Sequence, residues 1–111
     1  MPQFSANLSM LFPERPFLQR FAAAAQAGFS AVEFMFPYAF AIADLRDAIA
    51  HSKVRVVLHN LPPGDWDAGD RGIACHPNRT EEFRDSVAQA IAYASALQVP
   101  RLNCLVGCTP A

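Results

Sequence analysis

Charge is scarce in this chain and nowhere concentrated. Asp, Glu, Lys and Arg make up 17% of 111 residues, the formal net charge is -1, and the arginines stand singly among acids. A surface for nucleic acid or anionic lipid needs a cationic stripe, so neither partner is expected. No apolar run reaches membrane-spanning length, and the opening Met1-Pro-Gln-Phe-Ser-Ala-Asn7 lacks the basic and apolar regions of a signal peptide. The expected location is cytoplasmic. Glycine is sparse too: the turn after the first apolar alternation reads Ser9-Met-Leu-Phe-Pro13, which cannot cradle a phosphate. Three cysteines, Cys75, Cys104 and Cys108, are an odd number without secretory features, so buried reduced thiols are expected.

Two metal motifs fail on spacing. The run from Asp65 has Gly69 at its fifth position, Asp70 at its sixth and His76 at its twelfth, which rules out a calcium-binding EF-hand loop. Cys75-His76 with Cys104 and Cys108 fits no common zinc framework.

Apolar residues, by contrast, are abundant. They amount to 52%, with nine Phe, more than a domain of this length can bury by itself. Part of the structure is therefore expected to be supplied from outside the chain, by a carboxyl-terminal half or by self-association.

The periodicity alternates between strand and helix. Gln3 to Leu8 has period two, and Phe17, Leu18, Phe21, Ala22 and Ala25 then recur at helical spacing behind Pro16, with Gly28 as a left-handed cap. Ser30 to Met35 reads as a second strand, followed by a helix on Ile42, Leu45, Ala48 and Ile49. His51 closes that helix, where its partial charge suits the carboxyl end. Val54 to Leu58 is a nearly continuous aliphatic run, as a strand covered on both faces requires. Asn78 with Glu81 then predicts a capped third helix buried along Phe83, Val87, Ile91, Ala94 and Leu97, and Val99 to Val106 predicts a fourth strand.

Strands alternating with helices, and no hairpin signal, predict an α/β fold with a parallel sheet. A small open sheet and a (β/α)8 barrel both satisfy the order. The missing phosphate turn and the surplus of apolar residues favour the barrel. A complete barrel takes about 250 residues, so residues 1–111 are expected to form an incomplete domain, its amino-terminal half.

The longest polar stretch, about 60–79, directly follows the third strand and carries His, Asp and Arg where barrel enzymes build their sites. His59 ends that strand and reads as substrate-facing, against a satisfied core histidine. Arg71 reads as a carboxylate fork, against a solvated arginine paired with Asp70. Glu33, inside an apolar strand, reads as a barrel-lining group near substrate or as a structural carboxylate bonded to neighbouring strands. Trp66 either roofs the pocket or packs the loop. Arg79 falls outside the expected pocket.

The segments Phe4-Ser-Ala-Asn-Leu-Ser-Met-Leu-Phe12, Ala27-Gly-Phe-Ser-Ala-Val-Glu-Phe-Met-Phe-Pro-Tyr38, Leu58-His-Asn-Leu-Pro-Pro-Gly-Asp-Trp66 through His76-Pro77, and Leu102-Asn-Cys-Leu-Val-Gly107 together resemble the amino-terminal part of the hydroxypyruvate isomerase family, which includes the 2-oxo-tetronate isomerases, among the xylose isomerase-like barrels. The resemblance implies interconversion of hydroxypyruvate and tartronate semialdehyde through an enediolate, a place in glyoxylate and carbohydrate metabolism, and a small oxo-acid substrate. It also implies a divalent metal, Mg or Mn, held with a pair of proton-transferring glutamates on later strands, beyond Ala111. No catalytic residue or metal ligand is thus expected within this chain, and the chain alone is expected to be inactive. A sugar epimerase, an endonuclease IV-like enzyme and a non-catalytic half-barrel that pairs with another chain stay open as alternatives.

Overall fold

The computed structural model describes residues 1–109. Ala111, beyond which the catalytic glutamates are expected, lies outside the described residues together with Pro110. Four strands, β1 (Ser5–Asn7), β2 (Ala31–Glu33), β3 (Arg55–Asn60) and β4 (Leu102–Asn103), lie in the order β1-β2-β3-β4, and every pairing is parallel. Three helices connect them: α1 (Phe17–Gln26), α2 (Ile42–Ser52) and α3 (Thr80–Leu97), the last preceded by a 3-10 turn at Pro77–Arg79. Sequential parallel strands joined by right-handed crossovers put all three helices on one face, leaving the opposite face open.

Alternation along the strands builds the core on the helical face. Ala6, Leu8, Val32, Phe34 and Val56 point into it and meet Phe21 and Ala24 of α1, Leu45 of α2, and Ala94 and Leu97 of α3. Leu8, Phe21, Val32 and Leu45 are fully buried, and burial of each stabilises the fold by about 1.5–3 kcal/mol. Four phenylalanines lock α1 onto the sheet: Phe17 meets Phe21 and Phe34 edge-on at 5.6 and 5.4 Å and stacks on Phe40 at 5.1 Å. α1 ends at Gly28, whose φ of +98° lets the Phe29 amide return to the Ala24 carbonyl at 3.0 Å.

Three sequence expectations need correction. Asn78 caps nothing: it sits inside the 3-10 turn, α3 starts at Thr80 without a side-chain cap, and Glu81 pairs forward with Arg84. Ile91 is 51% exposed rather than buried, and Ser86 and Ala90 take its place in the stripe. It faces a groove with Pro100 and Leu102 beside β4, where no other element of the described chain packs. Cys104 and Cys108 are exposed, although all three thiols are free as expected.

One irregularity in the sheet decides the site. Val32 pairs with Val56, but Glu33 pairs with Leu58, so β3 carries one extra residue, Val57, opposite β2. Such a bulge reverses the facing of everything after it.

Candidate functional site

The carboxyl ends of the four strands bring a polar row onto the open face. Asn7 lies beside Glu33, Glu33 beside Leu58, and Asn60 beside Asn103. Asn7 accepts the Ser9 amide at 3.0 Å, and the Ser9 hydroxyl accepts the Met35 amide at 2.8 Å, so the exits of β1 and β2 are tied together. Glu33 is half-buried in this row, and among the described residues no hydrogen bond or ion pair reaches its carboxylate. The amide of Asn103 donates to the side-chain oxygen of Asn60 at 3.1 Å. Asn7, Asn60 and Asn103 were not singled out from sequence. Asn60 and Asn103 stand in the quoted segments, but their meeting depends on the register of β3 and β4.

His59 is placed differently from the sequence expectation. Strict alternation would put it on the open face with Arg55 and Val57, but the bulge turns it toward the helices and gives the open face to Asn60. It is fully buried, stacked on Phe34 at 6.0 Å and edge-on to Tyr38 at the same distance. Burial lowers its pKa below the usual histidine value, opposed by the nearby Ala90 backbone carbonyl. That carbonyl does not reach hydrogen-bonding geometry, and both ring nitrogens are without partners among the described residues. The ring is therefore a packing element behind the strand end. Tyr38, beside it, donates its hydroxyl to the Asn60 carbonyl, and its own pKa is raised, first by burial and then by Tyr93.

The polar stretch after β3 is ordered. Gly72 joins Val106 in an isolated antiparallel bridge, and the Cys75 amide donates to the Val106 carbonyl at 2.9 Å, so the loop is stitched to the segment beyond β4. Gly72 has φ of +97° and abuts Leu105, a place where only glycine fits. Asp65 and Asp70 are structural here. The Asp65 carboxylate accepts the Ala68 amide at 3.1 Å, while that of Asp70 accepts the Asp65 amide at 2.7 Å and Arg79 at 2.8 Å. The Arg79 bond chiefly, with the Asp65 amide second, holds the Asp70 pKa at about 2.

Arg71 stands on this frame. Its guanidinium lies 3.8 Å over the Trp66 ring, and Trp66 meets Phe36, at the exit of β2, at 5.2 Å. Only Nη1 is engaged, donating to the Trp66 and Asp70 carbonyls at 3.0 and 2.7 Å. Nε and Nη2 have no partner among the described residues, which leaves one edge of the fork free. The Asp70 carboxylate, considered from sequence as a partner for Arg71, is bound by Arg79 instead.

A separate hollow at the amino ends of the strands, between Pro2, Phe4, Gly28 and Ser30, carries no titratable side chain, so the chemistry belongs to the opposite end. Among the described residues no three of His, Cys, Asp and Glu converge as a metal site. The residues present do not by themselves fit the divalent ion implied by the resemblance.

Parallel βα units, polar strand ends on the open face and an ordered loop above them define half of a (β/α)8-barrel enzyme scaffold. The chain belongs to the xylose isomerase-like TIM barrel family, whose model matches residues 21–110. It is 62% identical over 111 residues to a hydroxypyruvate isomerase of Escherichia coli and 47% identical over 111 residues to a 2-oxo-tetronate isomerase of Cupriavidus necator, covering all of this chain and 43% of each relative. A solved structure described as an AP endonuclease of family 2 from Brucella melitensis superposes with a TM-score of 0.94 at 48% identity, covering 96% of this chain and 42% of that one. The chain thus spans about two fifths of the length of the curated relatives it matches. Among the described residues no helix is long and apolar enough to cross a membrane.

Proposed function

We propose that this chain is the substrate-binding half of a hydroxypyruvate isomerase-like enzyme, active in the cytoplasm on a small oxo acid of glyoxylate metabolism. The observation that carries the reading is the free edge of Arg71, held by its stack on Trp66 and by two backbone carbonyls. A planar fork fixed in this way suits the carboxylate of a 2-oxo acid. The similarity to an isomerase at 62% identity supplies the reaction class.

In this reading Arg71 binds the substrate carboxylate, Trp66 and Phe36 keep water from one side of it, and Glu33 lies on the open face close to the reacting carbons. Proton transfer between adjacent carbons, by glutamates beyond Ala111, and the divalent ion, Mg or Mn, belong to the whole enzyme. The nuclease description of the Brucella relative is the weaker model for this chain. A net charge of -1 and scattered arginines offer no track for a phosphate backbone.

The test combines turnover with binding. The purified chain is expected to show no hydroxypyruvate isomerisation above background, with or without Mg or Mn, yet hydroxypyruvate should change the emission of Trp66, the single tryptophan. The response should vanish in Arg71→Ala. Turnover by a contaminant-free sample would overturn the division of labour. An undiminished response in Arg71→Ala would overturn the carboxylate site.

A further inference from the structure

We propose that the paired amides of Asn60 and Asn103 form a hydroxyl-reading subsite, which makes these two side chains specificity-determining residues for the hydroxyl of the proposed substrate. The inference rests on the carboxylate reading of Arg71 and adds a second point of recognition, on strands rather than on the loop.

The two side chains meet on the open face at the ends of β3 and β4. Their backbone is fixed on several sides. The Asn60 amide donates to the Met35 carbonyl at 2.9 Å, its carbonyl accepts the Tyr38 hydroxyl, and the Asn103 carbonyl accepts the Leu61 amide at 2.9 Å. Among the described residues, one bond between the two side chains leaves both Asn60 amide hydrogens, one Asn103 amide hydrogen and the Asn103 oxygen free. Exchanging the oxygen and nitrogen of both amides leaves the same inventory.

A neutral pair offering donors and an acceptor side by side matches a group that also does both. A hydroxyl does; a carboxylate only accepts, and an ammonium only donates. Charge divides the ligand in the same way. Glu33 on neighbouring β2 repels a carboxylate from the strand ends, while Arg71 on the loop attracts one. The anionic end is thus directed to Arg71, and the hydroxyl end to the asparagines. Sequence alternation alone would have given the open face to His59, so the bulge at Val57 is what creates this subsite.

The experiment compares hydroxypyruvate with pyruvate, which keeps the carboxylate and the ketone and lacks the hydroxyl. Both are titrated into the chain and followed by Trp66 emission. Hydroxypyruvate should bind about tenfold more tightly, the ratio that one net hydrogen bond of this kind provides. In Asn60→Ala/Asn103→Ala that ratio should fall to about one while pyruvate affinity stays unchanged. Asn103→Ala alone, at an exposed position, should lose most of it. Equal affinities in the unsubstituted chain would overturn the subsite and leave the Arg71 reading standing. Loss of pyruvate binding in Asn103→Ala would also overturn it, by making the asparagines structural. No response to either ligand would overturn both.

Discussion

Arg79, at the entrance to α3, binds the Asp70 carboxylate across the loop at 2.8 Å and holds Glu82 with two further bonds at 2.8 Å. Asp70 in turn fixes the Asp65 amide and immediately precedes Arg71. The loop that presents the guanidinium is thus latched to the helix that follows it. Within the proposed function Arg79 would therefore act as a positioning residue, although the sequence places it outside the expected pocket. Arg79→Ala should move the Trp66 emission maximum toward the red and weaken hydroxypyruvate binding about tenfold, since misplacement of a binding group by about 1 Å costs at least that much. The melting temperature should change little, because partly exposed ion pairs that solvent still reaches contribute little to global stability. Arg79→Lys should recover part of the binding. An unchanged emission spectrum and affinity in Arg79→Ala would refute the latch.

The same latch sets an acid limit. The folded pKa of Asp70 is about 2, against an ordinary value of 3.8, so its contribution is fully present above 3.8 and is lost as pH falls from 3.8 toward 2. Trp66 emission should show a transition in that window, and Asp70→Asn should abolish it.

His59 predicts a separate transition at milder pH. Its folded pKa lies below the ordinary 6.5, so the unfolded chain takes up protons first as pH falls. The stability is complete above 6.5 and declines as pH drops through 6.5 toward the folded value. His59→Phe removes two buried nitrogens without partners and keeps an aromatic ring beside Phe34. Thermal melts between pH 5 and 7, the window around this transition, should show a sloping melting temperature for the unsubstituted chain and a flatter, equal or higher one for His59→Phe. A parallel slope in the variant would remove His59 as the cause.

Within a complete enzyme, Arg71→Lys should lower kcat/KM roughly ten- to a hundredfold, because an ammonium keeps the charge but not the fork. Thermal stability should be unaffected at this exposed position. Steady-state kinetics with wild-type kcat/KM for Arg71→Lys would leave Arg71 as a loop brace only.

Gly72→Ala should destabilise by more than about 1 kcal/mol, since it combines a strained positive φ with a collision against Leu105. Urea denaturation should show a lowered midpoint. Gly69→Ala, at φ of +106° in open space, should cost less, which separates the collision from the backbone strain.

Much of the architecture was legible because it is local. Phe17, Phe21 and Ala25 at helical spacing form α1, Gly28 ends it, and Leu45 and Leu97 anchor the next two helices as their periodicity predicts. The alternation of element types led to the parallel order that the sheet adopts. The helix-entry and burial errors arose where a neighbour outside the local window decides: Pro77 diverts the chain into a 3-10 turn and takes Asn78 with it, and Ile91 turns to a flank without a partner among the described residues.

By itself the sequence determined that a polar, arginine-bearing loop follows a buried third strand, because composition and period are properties of contiguous residues. Which side chains share the open face was decided only in three dimensions. One extra residue at Val57 turns His59 into the core and Asn60 outward, since a strand alternates faces with every residue and a single insertion inverts all that follow. The meeting of Asn60 with Asn103, 43 positions apart, and of Asp70 with Arg79 instead of adjacent Arg71, depends on register and loop closure, which no linear pattern encodes.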